Sequence, residues 1–172
     1  MLSRIDFQIS HTLYQTVGKS VPHWLLLSCE HSGNGFIWIP GAMLAVMWPG
    51  LGWKVKVFAI NLEIGFLLDV AIVGLIKMLV KRSRPDFAEK QYSATFSADK
   101  YSFPSGHASR CILIACMVLL FRHMCHVLVL IMVAAWAVIT ALSRVFLGRH
   151  FFFDVVVGSM IGVVLAGVLS KV

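Results

Sequence analysis

Charged residues are scarce in this chain of 172 residues, of which only 13% are Asp, Glu, Lys or Arg. An ordinary soluble domain carries about 25%. Hydrophobic residues make up 59% of the chain, and the mean hydropathy is +0.84. A single water-soluble core of this size could not enclose so much apolar surface. The composition therefore excludes a soluble globular domain and predicts an integral membrane protein.

Signals of an extracellular protein are also missing. No signal peptide is recognisable at the N-terminus, and no Asn-x-Ser/Thr sequon occurs. Of the four cysteines, Cys111 and Cys116 lie within one apolar run, whereas Cys29 and Cys125 stand alone. We therefore expect reduced thiols and no disulfide framework.

Acidic residues are few: 8 Asp and Glu stand against 15 Lys and Arg, which gives a net charge of +7. In a membrane protein this excess can serve cytoplasmic loops, anionic headgroups or an anionic substrate. The positions of the basic residues along the chain must distinguish these three uses.

Apolar residues form five long stretches, each near the roughly 17 to 25 residues that a transmembrane helix requires. They are Phe36 to Leu51, Val55 to Lys77, Ser105 to Phe121, Val127 to Ser143 and Asp154 to Leu169. The first is marginal because Pro40 interrupts it. In the last, Gly158, Gly162 and Gly167 are expected to allow close helix packing.

Residues 1–20 are mixed in polarity, with an apolar stripe at helical spacing: Leu2, Ile5, Ile9, Leu13 and Val17. The stripe predicts an amphipathic helix, which either lies on the membrane surface or packs as a core helix. No second domain or repeat is visible. We therefore predict one all-α domain over residues 1–172, a multi-pass bundle of about five spans plus this N-terminal helix.

The connections indicate which helix ends share a side. One long polar loop runs from Val80 to Phe103, and the others are short, so successive helices must be antiparallel neighbours. The second stretch ends at Lys77 and the third begins at Ser105 on that same side. The fourth returns there at Ser143, where the fifth begins. Three polar clusters are therefore predicted to meet on one face.

The first cluster contains Lys77 and Arg84, followed by Pro85. Seven residues are almost two helical turns, so both cations can point the same way, and the proline disfavours helix at Arg84. The alternative is a snorkelling lysine at a basic membrane boundary.

The second cluster is Ser105-Gly106-His107 at the start of the third stretch. Ser105 is a typical N-cap, and the free N–H groups of the first helical turn form a ready site for phosphate. The alternative is an ordinary loop-to-helix transition.

The third cluster contains Arg144, His150 and Asp154. Because His150 and Asp154 are four residues apart at the start of a helix, the carboxylate can accept from one imidazole nitrogen and leave the other free to attack. A purely structural His–Asp pair is the alternative.

Together these groups predict phosphoryl transfer, because cations and a helix N-terminus surround one oriented histidine and a second, unassigned histidine. The remaining acids of the long loop, Asp86, Glu89 and Asp99, are scattered among basic residues. No carboxylate pair is therefore expected to hold magnesium.

In order and spacing, the three motifs resemble those of the type 2 phosphatidic acid phosphatase family, relatives of vanadium haloperoxidases and bacterial acid phosphatases. The resemblance implies that His150 is a nucleophile forming a phosphohistidine, that Asp154 orients it, and that His107 protonates the leaving oxygen. It further implies a phosphate clamp of five residues: Lys77, Arg84, Ser105, Gly106 and Arg144. No metal, other cofactor or nucleic-acid partner is implied.

The flanking stretches Asp99 to Phe103 and Leu147 to Arg149 further resemble the polyisoprenoid diphosphate phosphatase branch, which includes presqualene diphosphate phosphatases. This implies an enzyme of the endoplasmic reticulum acting on isoprenoid diphosphates. Two alternatives stay open: a phosphatase of phosphatidate and lysophosphatidate, and a catalytically silent membrane interaction protein. The oligomeric state and the membrane side that the site faces also stay open.

Overall fold

The computed structural model describes residues 2–88 and 100–170, which form a bundle of seven α-helices with no strand in these two ranges. The helices are α1 Leu2–Leu13, α2 His23–Ser32, α3 Gly35–Met47, α4 Trp53–Val80, α5 Gly106–Leu120, α6 Val127–Phe146 and α7 Phe152–Leu169. A π-helical turn, Tyr14–Gly18, follows α1, and a short 3-10 turn, Arg122–Met124, separates α5 from α6. The predicted all-α multi-pass bundle is confirmed.

Within the two described ranges, three helices are long and apolar enough to cross a membrane: α4 with 28 residues, α6 with 20 and α7 with 18. The apolar helix α5 is shorter, with 15 residues. The stretch predicted over Phe36 to Leu51 folds as α3, whose 13 residues span about 20 Å, less than the hydrocarbon thickness of a bilayer. Pro40 lies inside this helix, and α3 ends before Trp48.

Large apolar side chains lie both in the core of the bundle and on its outer surface. Phe66 of α4, Leu113 and Met117 of α5 and Leu165 of α7 are buried together in the core. On the outside, long aliphatic side chains of α4, α6 and α7 remain exposed, as expected for helices that face lipid.

Helix α5 lies at the centre and packs most closely on α7. This approach depends on two glycines: a Cβ added at Gly158 would lie 2.3 Å from the backbone oxygen of Ser105, and one at Gly162 would lie 2.3 Å from that of Ser109. The predicted packing role is thus confirmed for both. It is wrong for Gly167, because no other part of the described bundle lies within 4 Å of a Cβ added there.

The N-terminal helix α1 presents two different faces. Asp6 and Ser10 are buried against the start of α7, where Asp6 Oδ1 accepts from the Phe153 N–H at 3.0 Å and Ser10 Oγ from the Phe152 N–H at 2.8 Å. Ile5 and Ile9 of the apolar stripe, in contrast, remain exposed, whereas Leu13 packs against a core cluster formed by α5, α6 and α7. Helix α1 therefore docks on the bundle through polar groups and through Leu13 at its end, and the described residues leave Ile5 and Ile9 uncovered.

Substitution of Gly158 or Gly162 by alanine should lower stability by about 1–3 kcal/mol, because α5 and α7 must separate to admit the methyl group. Gly167→Ala, on the same helix, is the matched control and should be neutral or slightly stabilising. Thermal unfolding in one detergent compares the three variants. Equal melting temperatures for all three would contradict this account of α5–α7 packing.

Candidate active site

The three polar clusters come together where α4 and α6 end and where α5 and α7 begin. The Ser105 N–H donates to the Asp154 carbonyl at 2.9 Å, which ties the start of α5 to the start of α7. Arg84, just beyond α4, donates through Nη1 to the Arg149 carbonyl at 2.9 Å. The common face predicted from the connections is thus present in the fold.

His150 is held in one orientation by a backbone acceptor. The side chain is only 2% exposed, and Nδ1 lies 2.6 Å from the Ser102 carbonyl oxygen. Because a carbonyl can only accept, Nδ1 must carry the proton, and the lone pair of the neutral ring is then on Nε2. Burial, and next the charges of Arg84, Arg144 and Lys77, lower the pKa of His150 well below its ordinary value. The imidazole is therefore neutral near pH 7.

Asp154 lies beside this histidine without being its nearest acceptor. Its Oδ2 is 3.7 Å from His150 Nδ1, farther than the Ser102 oxygen. The carboxylate is engaged elsewhere: Oδ1 accepts from Arg82 Nη1 at 2.7 Å, and Oδ2 accepts from the Phe151 N–H at 2.9 Å. The expectation of a direct Asp154–His150 hydrogen bond is therefore corrected, since Ser102 takes that position.

Ser105 shapes the turn before α5. Its hydroxyl accepts from the Ala108 N–H at 3.5 Å, as predicted for an N-cap, and its own N–H is used by the Asp154 carbonyl. The N–H groups that the first turn leaves for a phosphate are then those of Gly106 and His107. Ser105 is completely buried, so its contribution to the predicted clamp is the shape of the turn.

His107 supplies a second imidazole on this face. Its Nε2 is buried and has no hydrogen-bond partner among the described residues. Buried polar atoms without a partner are rare and call for an explanation. A substrate oxygen is the simplest partner for this nitrogen.

An acidic residue, Glu30, lies against Arg144 and Arg149, although the sequence analysis did not indicate it. Glu30 of α2 forms an ion pair with Arg144, Oε1 to Nη1 at 2.9 Å, and its Oε2 is 3.7 Å from Arg149 Nη2. Arg144 is only 1% exposed. Burial raises the pKa of Glu30, but Arg144 and then Arg149 outweigh it, so the pKa is lowered and the carboxylate is ionised.

The turn between α2 and α3 is held in place by tryptophans. Trp38 Nε1 donates to the Ser32 carbonyl at 2.7 Å, and Trp136 Nε1 of α6 donates to the Ser32 hydroxyl at 2.9 Å. In the same turn, an added Cβ at Gly33 would lie 2.7 Å from Cys111 Sγ and 3.7 Å from the His107 ring. The turn between α2 and α3 therefore forms a wall of the site.

Beside the site, a cavity of about 580 Å³ opens between the π-helical turn and the end of α6. Lys19, His23 and Arg149 line it together with apolar side chains such as Leu26 and Phe146. Because Arg149 also lies 3.7 Å from Glu30, this cavity adjoins the cationic cluster.

The PAP2 superfamily pattern matches residues 57–172, more than half of the chain, and covers all three clusters. The chain belongs to the PAP2 superfamily. The resemblance found in the motifs is thereby confirmed at the family level, whereas Glu30 and the α2–α3 turn precede the matched residues. A motif comparison could therefore not have found them.

Relatives extend the similarity over most of the chain. A probable lipid phosphate phosphatase beta of Arabidopsis thaliana is 31% identical over 93% of this chain and 84% of its own. An undecaprenyl-diphosphatase of Sulfolobus acidocaldarius is 26% identical over 80% of this chain and 64% of its own. The crystal structure of a PAP2-type phosphatidylglycerolphosphate phosphatase from Bacillus subtilis has a TM-score of 0.77, with 23% identity, and covers 99% of this chain and 85% of its own. That structure supports the fold.

Two further ion-pair groups of this PAP2 protein were not predicted. Arg82 binds both Asp6 and Asp154, each at 2.7 Å, although the sequence indicated only a basic boundary. Asp69 of α4 meets Ser109 and Arg110 of α5 inside the apolar bundle. Each pair joins residues 40 or more positions apart, so no local pattern links them.

Of the acidic residues of the long loop that were not expected to hold magnesium, Glu89 and Asp99 lie outside the described residues.

Glu30→Gln should remove the carboxylate that pairs with the buried Arg144, which destabilises the fold by about 3 kcal/mol and displaces the guanidinium. We expect a lower melting temperature and a lower kcat/KM toward phosphate esters. Glu63→Gln is the matched control, because Glu63 is partly buried in α4 without an ion pair to any described residue. A Glu30→Gln protein as stable and active as Glu63→Gln would contradict this role.

Proposed function

We propose that this protein is an integral-membrane phosphatase that hydrolyses lipid phosphate or diphosphate esters through a phosphohistidine at His150. The observation that supports it most directly is the 2.6 Å contact of His150 Nδ1 with the Ser102 carbonyl. That contact assigns the lone pair to Nε2 and leaves it available as a nucleophile. Three cations nearby, the buried Lys77 and Arg144 and the half-buried Arg84, supply the positive charge that a phosphoryl group requires.

The reaction has two steps. His150 Nε2 attacks phosphorus while the bond to the lipid oxygen breaks, and His107 gives a proton to that leaving oxygen. Water then attacks the phosphohistidine, with His107 accepting its proton, and inorganic phosphate leaves. The partnerless Nε2 of His107 suits both proton transfers.

Catalysis is proposed to proceed without a metal ion. In phosphoryl transfer, cations and oriented N–H groups can stabilise the charge on the equatorial oxygens that a metal would otherwise neutralise. Lys77, Arg84, Arg144 and the first turn of α5 with Gly106 provide such groups at one place. The carboxylates there already bind guanidinium groups, Glu30 that of Arg144 and Asp154 that of Arg82.

As natural substrates we propose polyisoprenoid diphosphates, with the endoplasmic reticulum as the membrane. One support is the similarity to an undecaprenyl-diphosphatase. A second is that both motif flanks which resemble the polyisoprenoid branch take part in the site. Ser102 accepts from His150, and the Arg149 carbonyl accepts from Arg84. Phosphatidate and lysophosphatidate are the rival substrates, in line with the similarity to a lipid phosphate phosphatase.

Phosphate release from isoprenoid diphosphates, isoprenoid monophosphates and glycerolipid phosphates in detergent tests this function. We expect turnover in the presence of EDTA and a loss of at least about 10³-fold in His150→Ala. His123→Ala is the matched control, because His123 is exposed in the turn after α5, at the other end of that helix. An inactive wild-type protein would favour the silent interaction protein, and activity restored only by magnesium would overturn the metal-free step.

His107→Ala should distinguish the general acid from the nucleophile. A general acid matters most when the leaving oxygen is basic, so we expect a loss of about 10²–10⁴-fold for a lipid monophosphate. For p-nitrophenyl phosphate, whose leaving group needs little protonation, the loss should be much smaller. The kcat/KM values of both substrates measure this difference. Equal losses for both would assign His107 to binding instead of proton transfer.

A further inference from the structure

The ion pair between α4 and α5 lies directly beside the proposed reaction centre. Asp69 of α4 is completely buried; its Oδ1 accepts from the Ser109 hydroxyl, and its Oδ2 lies 3.2 Å from Arg110 Nε. Ionisable residues in membrane-spanning segments are costly and usually serve a function. The proposed hydrolysis uses neither Asp69 nor Arg110.

Arg110 is oriented so that one part of its guanidinium is fixed and the rest is open. Nε donates to the Gly106 carbonyl at 3.0 Å and pairs with Asp69. Both contacts use Nε, and Nη1 and Nη2 have no acceptor among the described residues. The side chain is 20% exposed, so these N–H groups are accessible.

The open end of Arg110, formed by Nη1 and Nη2, lies at the level of the first turn of α5, whose N–H groups are proposed to bind phosphate. A Cβ added at Gly106 would lie 2.8 Å from Arg110 Nη2, and a Cβ added at Gly35 would lie 3.3 Å from Arg110 Nη1. The side chain therefore extends back along α5 to its first turn, between that turn and the start of α3. The absence of a side chain at both glycines leaves the space that the guanidinium occupies.

His107 and Arg110 are three residues apart on α5 and therefore neighbours on one side of the helix. In the proposed reaction, His107 lies at the leaving oxygen. The group beyond that oxygen then lies toward Arg110. In a monophosphate this group is a carbon chain, whereas in a diphosphate it is a second phosphoryl group.

We propose that Arg110, held by Asp69, binds the inner phosphate of a lipid diphosphate and makes the enzyme prefer diphosphates to monophosphates. This rests on the proposed function. The bond that breaks joins the terminal phosphorus to the bridging oxygen. That oxygen stays on the inner phosphate and takes the proton from His107, and the product is a lipid monophosphate. Arg110 stabilises the negative charge that develops there.

The ratio of kcat/KM for farnesyl diphosphate to kcat/KM for farnesyl monophosphate tests this specificity, because the tail is the same and the fraction of active protein cancels. Arg110→Gln should lower the ratio by about tenfold or more, the scale of a lost charge-assisted hydrogen bond. Asp69→Asn/Arg110→Gln should lower it equally and avoids an uncompensated buried carboxylate. Lys19→Gln, which changes a cation of the 580 Å³ cavity, should leave the ratio unchanged.

Binding provides a readout that does not depend on turnover. In a His150→Ala background, the same Arg110 substitutions should weaken farnesyl diphosphate binding and leave farnesyl monophosphate binding unchanged. An unchanged ratio in both Arg110 variants would overturn the inference, as would a fall confined to Lys19→Gln. Neither result affects the proposed function, which fails only if the wild-type protein hydrolyses no lipid phosphate or if His150→Ala retains the activity.

Discussion

Arg82 fixes both neighbours of the proposed nucleophile. Its guanidinium binds Asp154 on one side and Asp6 on the other, each at 2.7 Å, while its backbone carbonyl accepts from the Ser102 N–H at 2.9 Å. Ser102 is the acceptor of His150, and Asp154 lies next to it. The orientation of His150 therefore depends on one arginine that follows α4. Through Asp6, this arginine also explains why the N-terminal helix docks by its polar face.

The arginines around the site follow one physical rule. A buried charge is costly unless a counterion compensates it, and here Arg144 has Glu30, Arg110 has Asp69, and Arg82 has Asp154. The carboxylates therefore hold guanidinium groups in defined positions. An arginine presents several N–H groups in a rigid fork, so one group can bind the carboxylate while others face a phosphate oxygen.

Much of the fold could be predicted from the sequence because the relevant signals are local. Apolar runs mark the helices, and the short connections indicate that the ends near Lys77, Ser105 and Asp154 share one side. The partners of these residues could not be predicted in the same way. Glu30 lies near the end of α2 and pairs with Arg144 only because α2 packs on α6. The helical spacing of His150 and Asp154 was visible, but the carbonyl of Ser102, 48 positions away, has no sequence signature.

The two acceptors beside His150 suit two stages of the proposed reaction. Before attack the ring must be neutral, and burial together with Arg84 and Arg144 keeps its pKa low, while the Ser102 carbonyl holds the proton on Nδ1. When Nε2 bonds to phosphorus, the ring becomes cationic. The phosphoryl oxygens then engage the nearby cations, and the Asp154 carboxylate, 3.7 Å from Nδ1, stabilises the new positive charge. A closer carboxylate would have raised the pKa of the free imidazole. The separation therefore preserves the neutral nucleophile and still supports the intermediate.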